Sequence, residues 1–141
     1  MAESLKKLKD LFDLKDADLR TYSPLTLAYI GDAIYDLIIR TMIVRQGNTQ
    51  VNKLHRHASS LVKAGAQSKM MELLEPDLTE EELAVYKRGR NAHSPTMAKH
   101  ATMADYRRAT GFEALMGYLY LKEDYSRIVE LVRKGIPEEN L

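Results

Sequence analysis

The chain has 141 residues, 45% hydrophobic and 29% charged, with a formal net charge of +1 at pH 7. These values suit one globular domain with a single core. The absence of cysteine excludes disulfide bridges and thiolate metal sites. No stretch has the apolar length of a signal peptide or a membrane span. We therefore expect one domain over residues 1–141 and a cytoplasmic location without membrane partners.

Helix signals recur along the chain from Ser23 onward. Ser23 and Pro24 form a cap and a first-turn proline, and the apolar run behind them predicts a helix that reaches about Val44. Four further helical segments are predicted: about 49–74 with a break near 64–68, one from a capping box at 79–82, about 102–122, and about 125–134. Between the helix that starts at the capping box and the helix at about 102–122, "RGRNAHSPT" predicts a loop. Since no run predicts a strand, we expect an all-α fold.

The near-zero net charge hides a strong segregation of charge along the chain. Residues 37–71 contain no acid, residues 72–82 form an acidic block, and residues 86–108 hold six Lys and Arg against Asp105 alone. Such a pattern permits a basic face for an anionic partner. A set of ordinary solvated faces explains it as well, so charge alone leaves both interpretations open.

Two acids stand inside apolar segments. Asp32 lies at the centre of "LAYIGDAIYDL" (27–37), and Glu113 is the only acid of "TGFEALMGYLYL" (110–121). An isolated ionised carboxylate in a dry core is very costly, so each acid must be paired, neutralised or bound to a metal. Gly31, Gly111 and Gly117 are unfavourable in helix interiors, which indicates close approach of another helix or a ligand.

Both segments are apolar nearly all round, so we expect two central, neighbouring helices that bring Asp32 and Glu113 together. A hard divalent cation such as Mg²⁺ would relieve the repulsion between the two carboxylates, because it prefers oxygen ligands. Alternatively, tyrosine or arginine side chains satisfy the acids, or one of them stays protonated. Asp36, one turn beyond Asp32, is either a third ligand or a supporting surface acid.

The segments "AYIGDAIYDL" and "FEALMGYLYL" resemble the two signature helices of ribonuclease III nuclease domains. With "VYKRGRNAHS", "AKHATMADYRRATGFEALMGYLYL" and the short chain, the resemblance is closest to the Mini-ribonuclease III branch of that family. This small bacterial branch lacks the double-stranded-RNA-binding domain. The resemblance covers about residues 22–135 and implies a ribonuclease III-like helical bundle.

The resemblance also implies a function: a magnesium-dependent endoribonuclease that cleaves double-stranded RNA as a homodimer. The implied substrate is precursor ribosomal RNA, especially the ends of the large-subunit (23S) precursor, and a ribosomal protein as accessory is left open. Asp32 falls on the family's catalytic aspartate and Glu113 on its metal-binding glutamate, so both are expected to hold Mg²⁺ and serve catalysis. Ala28 and Thr110 replace two acids of the larger family, which implies weaker metal binding.

A nuclease domain without a separate RNA-binding domain must supply the RNA contacts itself. The candidates are the polar and basic residues of the 86–108 stretch, namely Lys87, Arg88, Arg90, Asn91, His93, Lys99, Arg107 and Arg108. Two rival hypotheses remain beside the nuclease. One is a dimeric RNA-binding module that has lost catalysis through Ala28 and Thr110, and the other is a structural helical protein whose acids merely pair with tyrosine or arginine.

Overall fold

The computed structural model describes residues 2–92 and 102–141. Within these ranges the chain forms seven α-helices and no strand, which confirms the all-α class. The helices are α1 (Ala2–Leu11), α2 (Pro24–Arg45), α3 (Val51–Val62), α4 (Ala64–Leu74), α5 (Glu80–Arg90), α6 (Met103–Leu121) and α7 (Tyr125–Gly135). None of them is long and apolar enough to cross a membrane, as far as the described residues go.

The predicted caps are present at the expected positions. Ser23 Oγ accepts a hydrogen bond from the Thr26 amide at 3.1 Å, and Pro24 occupies the first turn of α2. The capping box is complete, since Thr79 Oγ1 accepts from the Glu82 amide at 3.1 Å and Glu82 Oε1 accepts from the Thr79 amide at 3.0 Å. These bonds satisfy amides that a helix start leaves without partners.

Helix α6 is the centre of the molecule, and α2, α4, α5 and α7 pack around it. The backbones of α6 and α2 are in direct contact. A Cβ added to Gly31 would lie 1.7 Å from the Glu113 carbonyl oxygen, and one added to Gly117 would lie 1.9 Å from the Leu27 carbonyl oxygen. The prediction that α2 and α6 are central neighbours is confirmed, and the close partner of these glycines is the other helix.

The remainder of the core is apolar and joins the same helices. Tyr35 of α2 packs edge-on against Phe112 of α6 with ring centroids 5.0 Å apart, and its hydroxyl donates to the Leu61 carbonyl at 2.8 Å. Burial raises the pKa of Tyr35, so this phenol stays a neutral donor. The core therefore holds α2, α3 and α6 in one rigid arrangement.

The prediction of a loop at "RGRNAHSPT" is wrong for the first residues of that stretch. Helix α5 continues to Arg90, so Lys87, Arg88 and Arg90 lie on its last turn and Asn91 is its C-terminal cap. The reason is Gly89, which packs against α6: a Cβ there would lie 2.9 Å from Gly111 Cα. This glycine serves helix packing and does not mark a turn. His93 and Lys99 lie outside the described residues.

Candidate active site

The site forms where α2 and α6 touch. Gly31 lies against the carbonyl group of Glu113, and Asp32 is the next residue along α2. Because the backbones are in contact at this point, the two side chains meet at the edge of the helix interface, which we call the groove. The Asp32 carboxyl is close enough to raise the pKa of the Glu113 carboxyl. The two acids singled out in the sequence are thus brought together by the fold.

The electrostatics of the pair are those of two acids that repel each other. Burial raises the pKa of Glu113 to about 8, and the hydrogen bond and negative charge of the neighbouring Asp32 act in the same direction. A hydrogen bond from Gln67 opposes both effects by favouring the ionised carboxylate. A positive charge in the groove would therefore favour ionisation of both carboxyl groups at neutral pH.

The expectation of two acids in a dry interior needs a correction. Asp32 is exposed and Glu113 is half-buried. The close contact between Gly31 and α6 places the next residue at the edge of the helix interface, where its side chain reaches solvent. The pair therefore lies at the solvent-facing edge of the α2–α6 contact, where a large polyanion can approach it.

The neighbouring positions supply no further carboxylate. Asp36 pairs with Arg40 at 2.9 Å, which makes it a supporting surface acid. Ala28 is buried among Leu27, Val85 and Ala114. Thr110 is buried too, and its Oγ1 donates to the Tyr106 carbonyl at 3.0 Å.

Two carboxylates therefore define the donor set. Among residues 2–92 and 102–141, no three or more acidic, histidine or cysteine side chains cluster closely enough to hold a metal ion. Carboxylate oxygens are nevertheless the ligands that Mg²⁺ prefers, and Mg²⁺ commonly binds through one or two carboxylates with several waters. A repelling carboxylate pair open to solvent fits such an ion.

The candidate RNA-binding residues that the structure describes lie at the C-terminal end of α5 and in the first turns of α6. Lys87, Arg88, Asn91 and Arg107 are exposed. Arg90 is half-buried, with its guanidinium 5.7 Å from the centre of the Tyr86 ring. Arg107 precedes Glu113 by six residues, which corresponds to about 9 Å along the helix axis. The described candidates therefore lie on α5 and α6, two helices that pack directly on each other.

Arg108 differs from the other basic candidates because it is engaged within the protein. Its Nη1 donates to Ser68 Oγ at 3.3 Å and lies 3.8 Å from Glu72 Oε1. Arg108 therefore ties α6 to α4, and its charge is partly compensated by Glu72.

Sequence reasoning missed Gln67, a buried polar residue on α4 that lies beside Glu113. A single glutamine carries no chemical signature in a sequence. The available signal was the break near "AGAQS", where a polar residue stands among small ones between two helical segments.

Comparison with known proteins identifies the family of the chain. Residues 25–124 match the family model described as the ribonuclease III domain. The chain is 50% identical to Mini-ribonuclease 3 of Clostridium tetani over 117 residues, which is 82% of this chain and 78% of the relative. It is also 50% identical to Mini-ribonuclease 3 of Enterococcus faecalis, over 87% of this chain and 97% of the relative.

A solved structure is similar as well. The crystal structure of protein FN1578 from Fusobacterium nucleatum superposes with a TM-score of 0.76 at 33% sequence identity, covering 82% of this chain and 93% of that one. The matched regions include α2 and α6, the helices that carry Asp32 and Glu113. The chain therefore belongs to the ribonuclease III family, within its Mini-ribonuclease 3 group.

Proposed function

We propose that this endoribonuclease needs Mg²⁺, held by Asp32 and Glu113, and that it matures the ends of precursor 23S ribosomal RNA. Membership of the ribonuclease III family makes it an enzyme that cuts double-stranded RNA. We further propose that it works in the cytoplasm as a homodimer. The meeting of the two carboxylates at the solvent-facing edge of the α2–α6 contact is the observation that carries the proposal.

The chain's own residues have three tasks in the reaction. Asp32 and Glu113 hold the cation and, through the fixed contact of α2 with α6, keep its place in the groove. The exposed residues Lys87, Arg88 and Arg107 bind backbone phosphates and align the duplex with that groove. When bound, Mg²⁺ would polarise the scissile phosphate and lower the pKa of a coordinated water.

The exposed face of α2 supports the homodimer. Tyr29 is 81% exposed and Leu37 is 53% exposed, although both are large apolar side chains. They lie on the same side of the helix, eight residues apart, and exposed apolar stripes of this kind are typical of protein interfaces. A two-fold dimer would supply one site for each strand of the duplex.

The test is a cleavage assay on duplex RNA with and without Mg²⁺, run beside Asp32→Asn and Glu113→Gln. The proposal expects cutting that needs both the cation and both acids. Each substitution should reduce the rate by more than the roughly 10–100-fold that is typical for residues that only support a metal ligand.

Asp36→Asn is the matched control, since Asp36 lies on the same helix but pairs with Arg40. It should cut at nearly the normal rate. Salt-sensitive binding of an intact duplex, without cutting under any condition, would instead support the RNA-binding module. Uncut ribosomal precursor in cells that carry Asp32→Asn would support the 23S substrate, and normal 23S ends would refute it.

A further inference from the structure

Gln67 is fixed at the junction of two helices beside the carboxylate pair. Helix α3 ends at Val62, and Lys63 adopts an extended backbone before α4 begins. The Val62 carbonyl therefore lies at a helix end, where the helix supplies no regular donor. Gln67 Nε2 donates to this carbonyl at 2.8 Å. The residue is only 2% exposed, so its amide is held in one place.

The same side chain lies close to Glu113 on α6. Helices α4 and α6 pack directly on each other, which keeps Gln67 near Glu113. Gln67 is therefore fixed to the backbone at one N–H and lies beside the candidate site.

One polar atom of the Gln67 side chain lacks a hydrogen-bond partner within the described part of the chain. Gln67 Oε1 is buried and has no hydrogen-bond partner among the residues that the structure describes. Buried polar atoms in folded proteins almost always have a partner, and an orphan acceptor is costly. A water held in the site would satisfy it, because such waters commonly bridge buried polar groups.

From these contacts we propose that Gln67 is a positioning residue of the site: it holds the Glu113 carboxylate beside Asp32 and presents its amide oxygen to the hydration shell of the bound cation. This inference rests on the cation site proposed above and deepens it. Gln67 adds a neutral oxygen acceptor to a site for which the described residues supply two carboxylates. It would partly replace the acids that Ala28 and Thr110 leave out.

The test measures cation binding by the full-length protein without RNA, using Mn²⁺ and electron paramagnetic resonance. The variant is Gln67→Met, because methionine keeps the length and approximate volume of glutamine without its polar atoms. We expect Mn²⁺ affinity to fall by about 10–100-fold, the usual effect of removing a partner of a metal ligand. The apo protein should melt at nearly the wild-type temperature, because removal of the orphan acceptor offsets the lost hydrogen bond to the Val62 carbonyl.

Ser68→Ala is the matched control. Ser68 is the adjacent buried residue on α4, and it bonds Arg108. It should bind Mn²⁺ like the wild type. Wild-type affinity in Gln67→Met, whatever its melting temperature, would overturn the inference alone and leave Gln67 no more than a structural role. Failure of the wild type to bind Mn²⁺ would overturn the cation site itself.

A second measurement needs no variant of Gln67. The side-chain amide resonances of Gln67 in the wild type should shift on titration with Mg²⁺, and they should stay in place in Asp32→Asn. Unshifted Gln67 resonances in a wild-type protein that binds Mg²⁺ would overturn the inference, whether or not Gln67→Met folds.

Discussion

Gly31 of α2 and Glu113 of α6 are in backbone contact, so close that a Cβ on Gly31 would lie 1.7 Å from the Glu113 carbonyl oxygen. Asp32 directly follows Gly31, and the carboxyl groups of Asp32 and Glu113 meet in the groove beside this contact. One packing contact therefore sets both the helix separation in the core and the distance between the two acids. Stability and site geometry are coupled at this position.

This coupling predicts the effect of Gly31→Ala. The added methyl group must push α2 away from α6, and overpacking of this kind costs about 1–3 kcal/mol or more. That cost exceeds the roughly 1 kcal/mol that alanine gains over glycine in a helix. Urea denaturation should show a less stable protein, and a duplex-cleavage assay should show slower cutting because the acids have moved apart.

Gly65→Ala is the control for this substitution. Gly65 lies in α4, and a Cβ there would meet nothing within 4 Å. The variant should be as stable as the wild type or more stable by up to about 1 kcal/mol, with normal cleavage. A Gly31→Ala protein that denatures and cleaves like the wild type would refute the tight contact between α2 and α6.

A second prediction concerns the ion pair of Glu82 and Arg127, which joins α5 to α7. Glu82 is 5% exposed, and the Arg127 guanidinium bonds both of its oxygens at 2.8 Å. Arg127→Met should cost about 3 kcal/mol, because it leaves a buried carboxylate without its partner. Urea denaturation at pH 7 measures this loss, and Glu82→Gln combined with Arg127→Met should recover part of it.

The same pair makes stability depend on pH. Hydrogen bonds from Arg127, helped by the Thr79 amide, lower the pKa of Glu82 below its ordinary value of 4.5. The unfolded chain therefore takes up a proton near pH 4.5, before the folded protein does. The stabilisation is fully present above that pH and is lost as the pH falls through the folded-state pKa. Glu82→Gln should flatten this acid limb of the stability curve, and an unchanged limb would refute the role of the pair.

Much of the fold and part of the site could be predicted, because some sequence patterns are compatible with only one kind of local structure or packing. Ser23 with Pro24 and the "TEEE" box begin helices because their side chains bond free amides. Two helices that are apolar all round must be central, which is why Asp32 and Glu113 could be expected to meet.

The remaining features depend on contacts that a single sequence does not encode locally. Gly89 is typical of a loop, yet it lies inside α5 because Gly111 faces it across the helix interface. Helix α2 is apolar on nearly all sides, so its sequence does not show which side remains exposed to solvent. The exposure of Asp32 depends on that side. The role of Gln67 depends on the Val62 carbonyl and the Glu113 carboxylate, which only the fold brings near its amide. Helix α1 was not expected, because its charged and apolar residues alternate without a clear cap.

A third prediction tests the homodimer. If the exposed face of α2 is the interface, Leu37→Lys should weaken dimerisation by about a hundredfold or more, because burying an unpaired ammonium costs several kcal/mol. Sedimentation velocity over a range of concentrations measures this change. Leu73→Lys is the control, since Leu73 is a similarly exposed leucine on α4. Equal weakening by both variants, or by neither, would contradict an interface on α2.

The last prediction concerns the RNA surface. Arg88 and Arg107 are exposed on α5 and α6. The double substitution to alanine should weaken duplex binding, and the slope of log affinity against log salt should fall by about one for each lost phosphate contact. Stability should change by less than about 0.5 kcal/mol for each exposed site. Filter binding at several salt concentrations, in Ca²⁺ to prevent cutting, measures the slope.

Arg133→Ala separates a specific contact from a general loss of charge. Arg133 is an exposed arginine on α7 that pairs with Glu138 at 2.8 Å. If phosphate contacts by Arg88 and Arg107 align the duplex, Arg133→Ala leaves the salt slope unchanged while the double variant lowers it. If net charge alone attracts RNA, each lost arginine weakens binding equally wherever it lies. Equal effects at the two surfaces would therefore show that Arg88 and Arg107 make no specific contacts with RNA. The proposed alignment of the duplex with the carboxylate groove would then be wrong.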